Sequence, residues 1–268
     1  DKVQWSDIND ETDWVSGSTS QSDYQIIADG GNVQAITGGE FGVVLLEKAV
    51  VRASYVGSPL FFQFDTISNG LGCLEGHSVA QYGNITFFLS DDGWYSTDGQ
   101  TITNIGLEKV DRWFFGRADL TQLNTMSAAV DPVKNLVVWN YADVDGNRRI
   151  LIYNWQLQKW SRAETTSDSV GTIATLGETL ESLESSLGYT DVDTMPASLD
   201  SRLFIGGKFL FAGTKDDKIV AFTGESITPQ LITTDVEIGY NSVATLARPQ
   251  IDNGTAQVAV ASRRELDD

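Results

Sequence analysis

The chain has 268 residues, 41% of them hydrophobic with seven Trp, eight Tyr and twelve Phe, which is ample for one large packed core and excludes a wholly disordered polypeptide. Its 18 Lys and Arg against 37 Asp and Glu give a formal net charge of −19, which leaves no basic footprint for tight, phosphate-neutralising binding of nucleic acid. The single Cys73 excludes an internal disulfide framework, no Cys/His cluster has zinc spacing, and no apolar run approaches the ~20 residues of a membrane span.

The opening DKVQWSD reads as the middle of a strand, so the expectation is a single domain over residues 1–268 that is a piece of a longer chain. Residues 2–14, KVQWSDINDETDW, predict a short strand and an Asp-rich turn whose Trp residues fill core, and the Ser-rich stretch 15–29 reads as a loop. From Val33 a regular pattern begins. VQAIT, FGVVLLE, AVVRASYVG and LFFQFDTI predict four strands joined by turns at Gly38 and Gly39, at Glu47 and Lys48, and at Ser58 and Pro59.

Residues 77–115 repeat the theme with SVAQY, ITFFLS, GWYSTDG and ITNI, followed by an amphipathic helical LEKVDRWFF. Residues 126–162 give a third copy: AAVD, NLVVWNYA, RRILIYNW and KWSR. Units of about 40 residues with four antiparallel strands each are the sequence mark of a β-propeller. Residues 174–200 break the pattern, because Leu176, Leu180, Leu183 and Leu187 stand at helical spacing before Gly188, which predicts a short helical insertion between blades. RLFIGG, KFLFAGT, KIVAFTG and ITPQLITTDVEIG resume the strands, and Ser242 to Ser262 add two more around an Asn253–Gly254 turn. The expected fold is all-β, a propeller of about five to six four-stranded blades.

Candidate sites are few. Cys73 and His77 lie four apart in CLEGH, but the intervening Gly76 and the turn residues around it disfavour a metal pair, and a Ser/His/Asp triad would have to use His77, which reads better as a turn residue at the start of a strand. SDDGW at Ser90 to Trp94 falls short of the Asp-box turn of sialidases because Gly93 directly follows Asp92. It reads as a hairpin whose Asp side chains hold backbone donors and whose Gly supplies positive φ. DVDGN at Asp143 to Asn147 opens like a calcium loop, yet strands flank it and no Glu completes it, so a plain hairpin is the reading. Glu178, Glu181 and Glu184 on the Leu-rich helix form either an interaction surface or a solvated face. No catalytic, cofactor-binding or metal-ligating residue is assigned, and a non-enzymatic protein is expected.

Several phrases carry a resemblance as a set: WSDINDETDW, GVVLLEKAVVRASYVGSPLFFQFDTIS, GLGCLEGHSVAQYGNITFFLSDDGWYSTDG with IGLEKVDRWFF, and TLESLESSLGYTDVDTMPASLDSR before GGKFLFAG. Together they resemble the tail nozzle proteins of short-tailed bacteriophages, of the tail tubular protein B type, and the related packaged-DNA stabilisation proteins. The resemblance implies a virion structural protein of the tail with a β-propeller core. It implies a homo-oligomeric ring, commonly a hexamer, that continues the portal and adaptor channel, retains packaged DNA and releases it on infection. Its implied partners are the tail adaptor, tail fibre proteins and the passing DNA, without sequence-specific contacts, and it transfers no catalytic residues.

Two other classes compete on the residues. A carbohydrate-binding or carbohydrate-active propeller of a tail fibre would stack sugars on loop aromatics such as Trp14, Trp94 and Trp155. A WD or kelch scaffold fails on motifs, since Trp5 is followed by Ser6, Trp14 by Val15, and no double-glycine period exists.

Overall fold

The computed structural model describes residues 2–17, 20–174, 191, 193, 195, 209–222 and 257–258. Contacts divide the chain into two units, Asp1–Gly224 and Glu225–Asp268, and of the second only Gln257 and Val258 are described, both exposed. The predicted helix over 176–188, the strand RLFIGG and the strands around Asn253–Gly254 lie outside the described residues.

The described chain is mostly β, arranged as successive antiparallel sheets. Strands β1 (Lys2–Trp5) and β2 (Asp23–Ile26) pair, followed by a four-stranded meander of β3 (Val33–Thr37), β4 (Gly42–Leu46), β5 (Ala49–Gly57) and β6 (Phe61–Asn69). The next meander holds β7 (Ala80–Tyr82), β8 (Ile85–Leu89), β9 (Trp94–Thr97) and β10 (Ile102–Asn104). A helix α1 (Asp111–Phe115) then leads to β11 (Ser127–Asp131), β12 (Leu136–Ala142), β13 (Arg148–Asn154) and β14 (Lys159–Glu164). The last sheet has three strands, β15 (Ser169–Ala174), β16 (Phe209–Lys215) and β17 (Lys218–Ala221).

The second strand of each meander explains how the sheets stack. GVVLL, ITFFL and LVVWNYA are mostly apolar and buried at consecutive positions, the signature of strands covered on both faces. Because side chains alternate across a strand, neighbouring residues must serve different cores. Val44 and Leu46 pack with Val3, Ile27 and Phe64, whereas Val43 and Leu45 pack with Phe88 and Tyr95 of the next sheet. Phe87 and Leu89, on the opposite face from Phe88, join Val137, Trp139, Tyr141 and Leu151 in the largest cluster. Val138 and Ile150 then meet Val170 and Phe211. Consecutive sheets therefore stack face to face in chain order.

Polar cross-links fix the stacking. Thr37 and Thr86 hydroxyls meet at 3.1 Å, and the Asn140 amide donates to the Ser167 carbonyl at 2.9 Å. Thr172 donates its hydroxyl to the Val130 carbonyl at 2.6 Å and accepts from the Val130 N–H at 3.2 Å.

Four expectations need correction. The stretch 15–29 is not all loop, because DYQI forms β2, exposed along its length but hydrogen-bonded to β1 in full register. Residues 169–174 form β15, which pairs with β16 from Ser169↔Thr214 to Ala174↔Phe209. The intervening residues 175–208 thus join two neighbouring strands of one sheet rather than two sheets. Trp14 does not fill core; it is 48% exposed, with its indole N–H donated to the Glu11 carbonyl at 2.7 Å. His77 does not begin a strand but sits in a single 3-10 turn, Gly76–Ser78, capped by the Glu75 carboxylate.

Candidate interaction surface

The segment between β10 and β11 is the least strand-like part of the sheet array and forms its one described α-helix. Asn104 starts it: its side-chain oxygen accepts the N–H groups of Gly106 at 2.9 Å and Leu107 at 2.6 Å, an Asx turn that reverses the chain. The Gly106 carbonyl then accepts the N–H groups of Lys109, Val110 and Asp111, which winds the chain into α1. The predicted amphipathic helix LEKVDRWFF is therefore real only over Asp111–Phe115, with turns before it.

Asp111 anchors this segment to the preceding sheet. Its carboxylate accepts the Trp94 N–H at 3.1 Å, and the α-carbons of Gly93 and Gly106 approach so closely that a Cβ on either would overlap it. Gly93 is needed for that approach and does not adopt positive φ, which corrects the hairpin expectation at Ser90 to Trp94. The hairpin itself stands, closed by Ser90 N–H to Gly93 carbonyl at 2.8 Å. Its acids serve side chains: Asp91 accepts from the Ser90 hydroxyl at 3.1 Å and Asp92 from the Tyr95 hydroxyl at 2.9 Å. Burial pushes the Asp111 carboxyl up from its ordinary range, against the pull of the Trp94 N–H.

One turn along, Phe114 is fully buried, with ring centroids 5.2 Å from Trp94 and 5.1 Å from Tyr141. Helix α1 thereby plugs one end of the aromatic core that also holds Trp139, Tyr153 and Trp160. The residues facing outward have a different character. Lys109, Arg112 and Arg117 are exposed, Trp113 and Phe115 half-buried, and the Arg162 guanidinium lies 4.8 Å over the Trp113 ring. Among the described residues the guanidiniums of Arg112 and Arg117 have no hydrogen-bond or ion-pair partner. Between residues 107–117 and Asp92 lies an open depression of about 910 Å³.

The depression is lined by Asp92, Glu108 and Asp111 as well as by Lys109, Arg112 and Arg117. Residues 109–162 carry eight of the 18 Lys and Arg against five Asp, an excess of positive charge within a chain of net −19. Three of those five, Asp111, Asp131 and Asp143, are buried. Arg149 alone in this region is ion-paired, to Asp143 at 2.7 Å and to Glu164. Burial pushes the Tyr141 hydroxyl up to about 12, and the positive charge of Arg149 pulls against that shift.

The residues considered for chemistry are otherwise employed. Asp143 accepts the N–H groups of Asp145 at 3.1 Å and Asn147 at 2.8 Å through one oxygen and Arg149 Nε at 2.7 Å through the other. DVDGN is thus a hairpin organised around an ion-paired Asp, whose carboxyl the Arg149 contact holds below the usual range. Cys73 is buried, its Sγ 3.3 Å from the Glu75 carbonyl, and burial pushes the thiol up to about 11. His77 is exposed, with Nδ1 2.7 Å from the Glu75 carboxylate. Among the described residues no group of three or more His, Cys, Asp or Glu converges as a metal site would require.

Of the aromatics weighed for sugar stacking, Trp94 is fully buried, and Trp155 lies against Tyr82 at 5.1 Å between ring centroids. Of the three, Trp14 alone is exposed, and Trp155 is half-buried. Glu178, Glu181 and Glu184 lie outside the described residues. The local excess of Lys and Arg is hidden in the whole-chain charge, and a running count over residues 109–162 carries the signal. No helix among the described residues is long and apolar enough to cross a membrane. No protein-family model matches the sequence, and no curated protein matches it.

Proposed function

We propose that the chain is a structural protein of a phage virion, a wall subunit of the tail nozzle ring that continues the portal and adaptor channel, retains packaged DNA and lets it leave on infection. The observation that carries this reading is the face-to-face succession of antiparallel sheets, in which the first strands β7, β11 and β15 lie side by side. Sheets stacked in chain order with their first strands adjacent are what blades around a common axis require, and the reading takes about five to six of them. A propeller is a rigid block that forms a channel wall when copies close into a ring, here a hexamer.

The charge supports the same reading. A wall with net −19 repels phosphates and lets DNA slide without adhering, while an aromatic core in which Trp94, Trp139 and Trp160 are in mutual ring contact resists deformation. The engagement of Asp143, Cys73 and His77 in local structure supports a non-enzymatic role. The tail adaptor and tail fibre proteins are the neighbours in this assembly. Mass spectrometry and antibody labelling of purified virions test it: the protein belongs at the tail tip in ring stoichiometry, and its absence from virions overturns the proposal.

A further inference from the structure

The guanidiniums of Arg112 and Arg117 beside α1 make no ion pair or hydrogen bond among the described residues, and the most acidic exposed loop described lies in the same chain. Residues 7–13, DINDETD, hold Asp7, Asp10, Glu11 and Asp13 without a single base. The loop is ordered rather than loose. Asp7 N–H bonds the Asp13 carbonyl at 2.9 Å, the Asp10 carboxylate accepts the Thr12 N–H at 3.0 Å, and Asp7 accepts the Gln21 N–H at 2.6 Å. That scaffold holds apolar side chains out in solvent: Ile8 is 54%, Trp14 48% and Val15 76% exposed.

We propose that the basic–aromatic face of Lys109, Arg112, Trp113, Arg117 and Arg162 docks the acidic, Trp14-bearing loop of a second copy of this chain. The inference rests on the reading of the chain as a ring subunit and names the contact that would close the ring. Each side supplies what the other lacks. Unpaired guanidiniums meet carboxylates that are fixed in position, and the exposed Trp14 has the depression beside Phe115 to enter. Arg and Trp are the residue types that dominate interface energetics, and the acidic loop is preorganised by its own hydrogen bonds, so ordering cost falls mainly on the arginine side chains. The two patches are different surfaces, which makes the contact head-to-tail, the kind that propagates into a ring.

The test uses the full chain and analytical ultracentrifugation. Arg112 and Arg117 make no side-chain bonds among the described residues, so R112E/R117E leaves the fold, read by circular dichroism, unchanged. It weakens self-association by about tenfold or more, as does E11R on the opposite surface, and added salt weakens the wild type in the same direction. Mixing R112E/R117E with E11R pairs one intact loop with one intact face and opposes reversed charges at the other junction, so the mixture recovers association that neither variant shows alone. Wild-type protein that stays monomeric, or charge variants that associate as the wild type does, overturns the contact. Rings that persist in R112E/R117E sink this contact but leave the ring reading standing. Charge-dependent association of a protein absent from virions sinks the nozzle reading and leaves the contact intact.

Discussion

The indole N–H of Trp139, in the middle of β12, donates to the main-chain carbonyl of Ser78 at 2.7 Å, joining residues 61 apart in the chain. Both residues are fully buried, and Trp139 lies 4.3 Å from Trp94 between ring centroids. One side chain thereby satisfies a buried carbonyl and fills the space between two sheets.

Replacing Trp139 separates those roles. Trp139→Phe keeps most of the packing but leaves the Ser78 carbonyl unsatisfied, a cost of about 1–3 kcal/mol. Trp139→Ala also opens a cavity and loses about 3–5 kcal/mol. Urea unfolding followed by tryptophan fluorescence and circular dichroism measures both, and equal losses would contradict the separate role of the hydrogen bond.

Asp111 provides the pH dependence. Its carboxyl is raised in the folded protein, so folding favours the protonated form, and the stability it contributes is lost as pH rises from the ordinary value of 3.8 through the raised one. Asp111→Asn keeps an acceptor for the Trp94 N–H and flattens that slope. Asp111→Ala removes the acceptor and costs about 1–3 kcal/mol. Denaturation midpoints measured from pH 4 to 7 distinguish the two variants.

Much of this architecture was legible in the sequence, and the failures have physical causes. The strands of residues 33–69, 80–104 and 127–164 announced themselves as apolar runs between turn residues, each pairing with its neighbour in sequence. β15 did not, because its partner β16 begins only at Phe209, far along the chain from Ala174, so no local hairpin signal exists. β2 was hidden for another reason: DYQI buries nothing, and only its hydrogen bonds to β1 make it a strand. Gly93 reads locally as a turn glycine, yet its cause is a carboxylate 18 residues further on, at Asp111. A pattern confined to one window cannot report such a contact.

Gly72 is a second glycine fixed by close approach. A Cβ there would overlap the Leu46 carbonyl and meet the Glu47 carbonyl at 2.6 Å, where the Cys73 N–H bonds Leu46 at 2.7 Å. Gly72→Ala destabilises by about 1–3 kcal/mol by forcing the backbones apart. Gly38→Ala, with open space around it, is the control and shifts the unfolding midpoint little.

Asp143 behaves oppositely to Asp111. Its carboxyl is lowered by Arg149, so its contribution is present above 3.8 and is lost as pH falls through the lowered value. Asp143→Asn removes the Arg149 ion pair and reduces that acid sensitivity. Calcium and a chelator leave the Tm of the wild type unchanged, because both carboxylate oxygens already accept N–H donors.

Cryo-electron microscopy of the purified full chain, concentrated in low salt, addresses the assembly most directly. A closed ring of copies around an open channel, each showing sheets stacked about its own axis, is the predicted result. Single particles that remain monomeric at every concentration and salt, with no ring in any class, would contradict it.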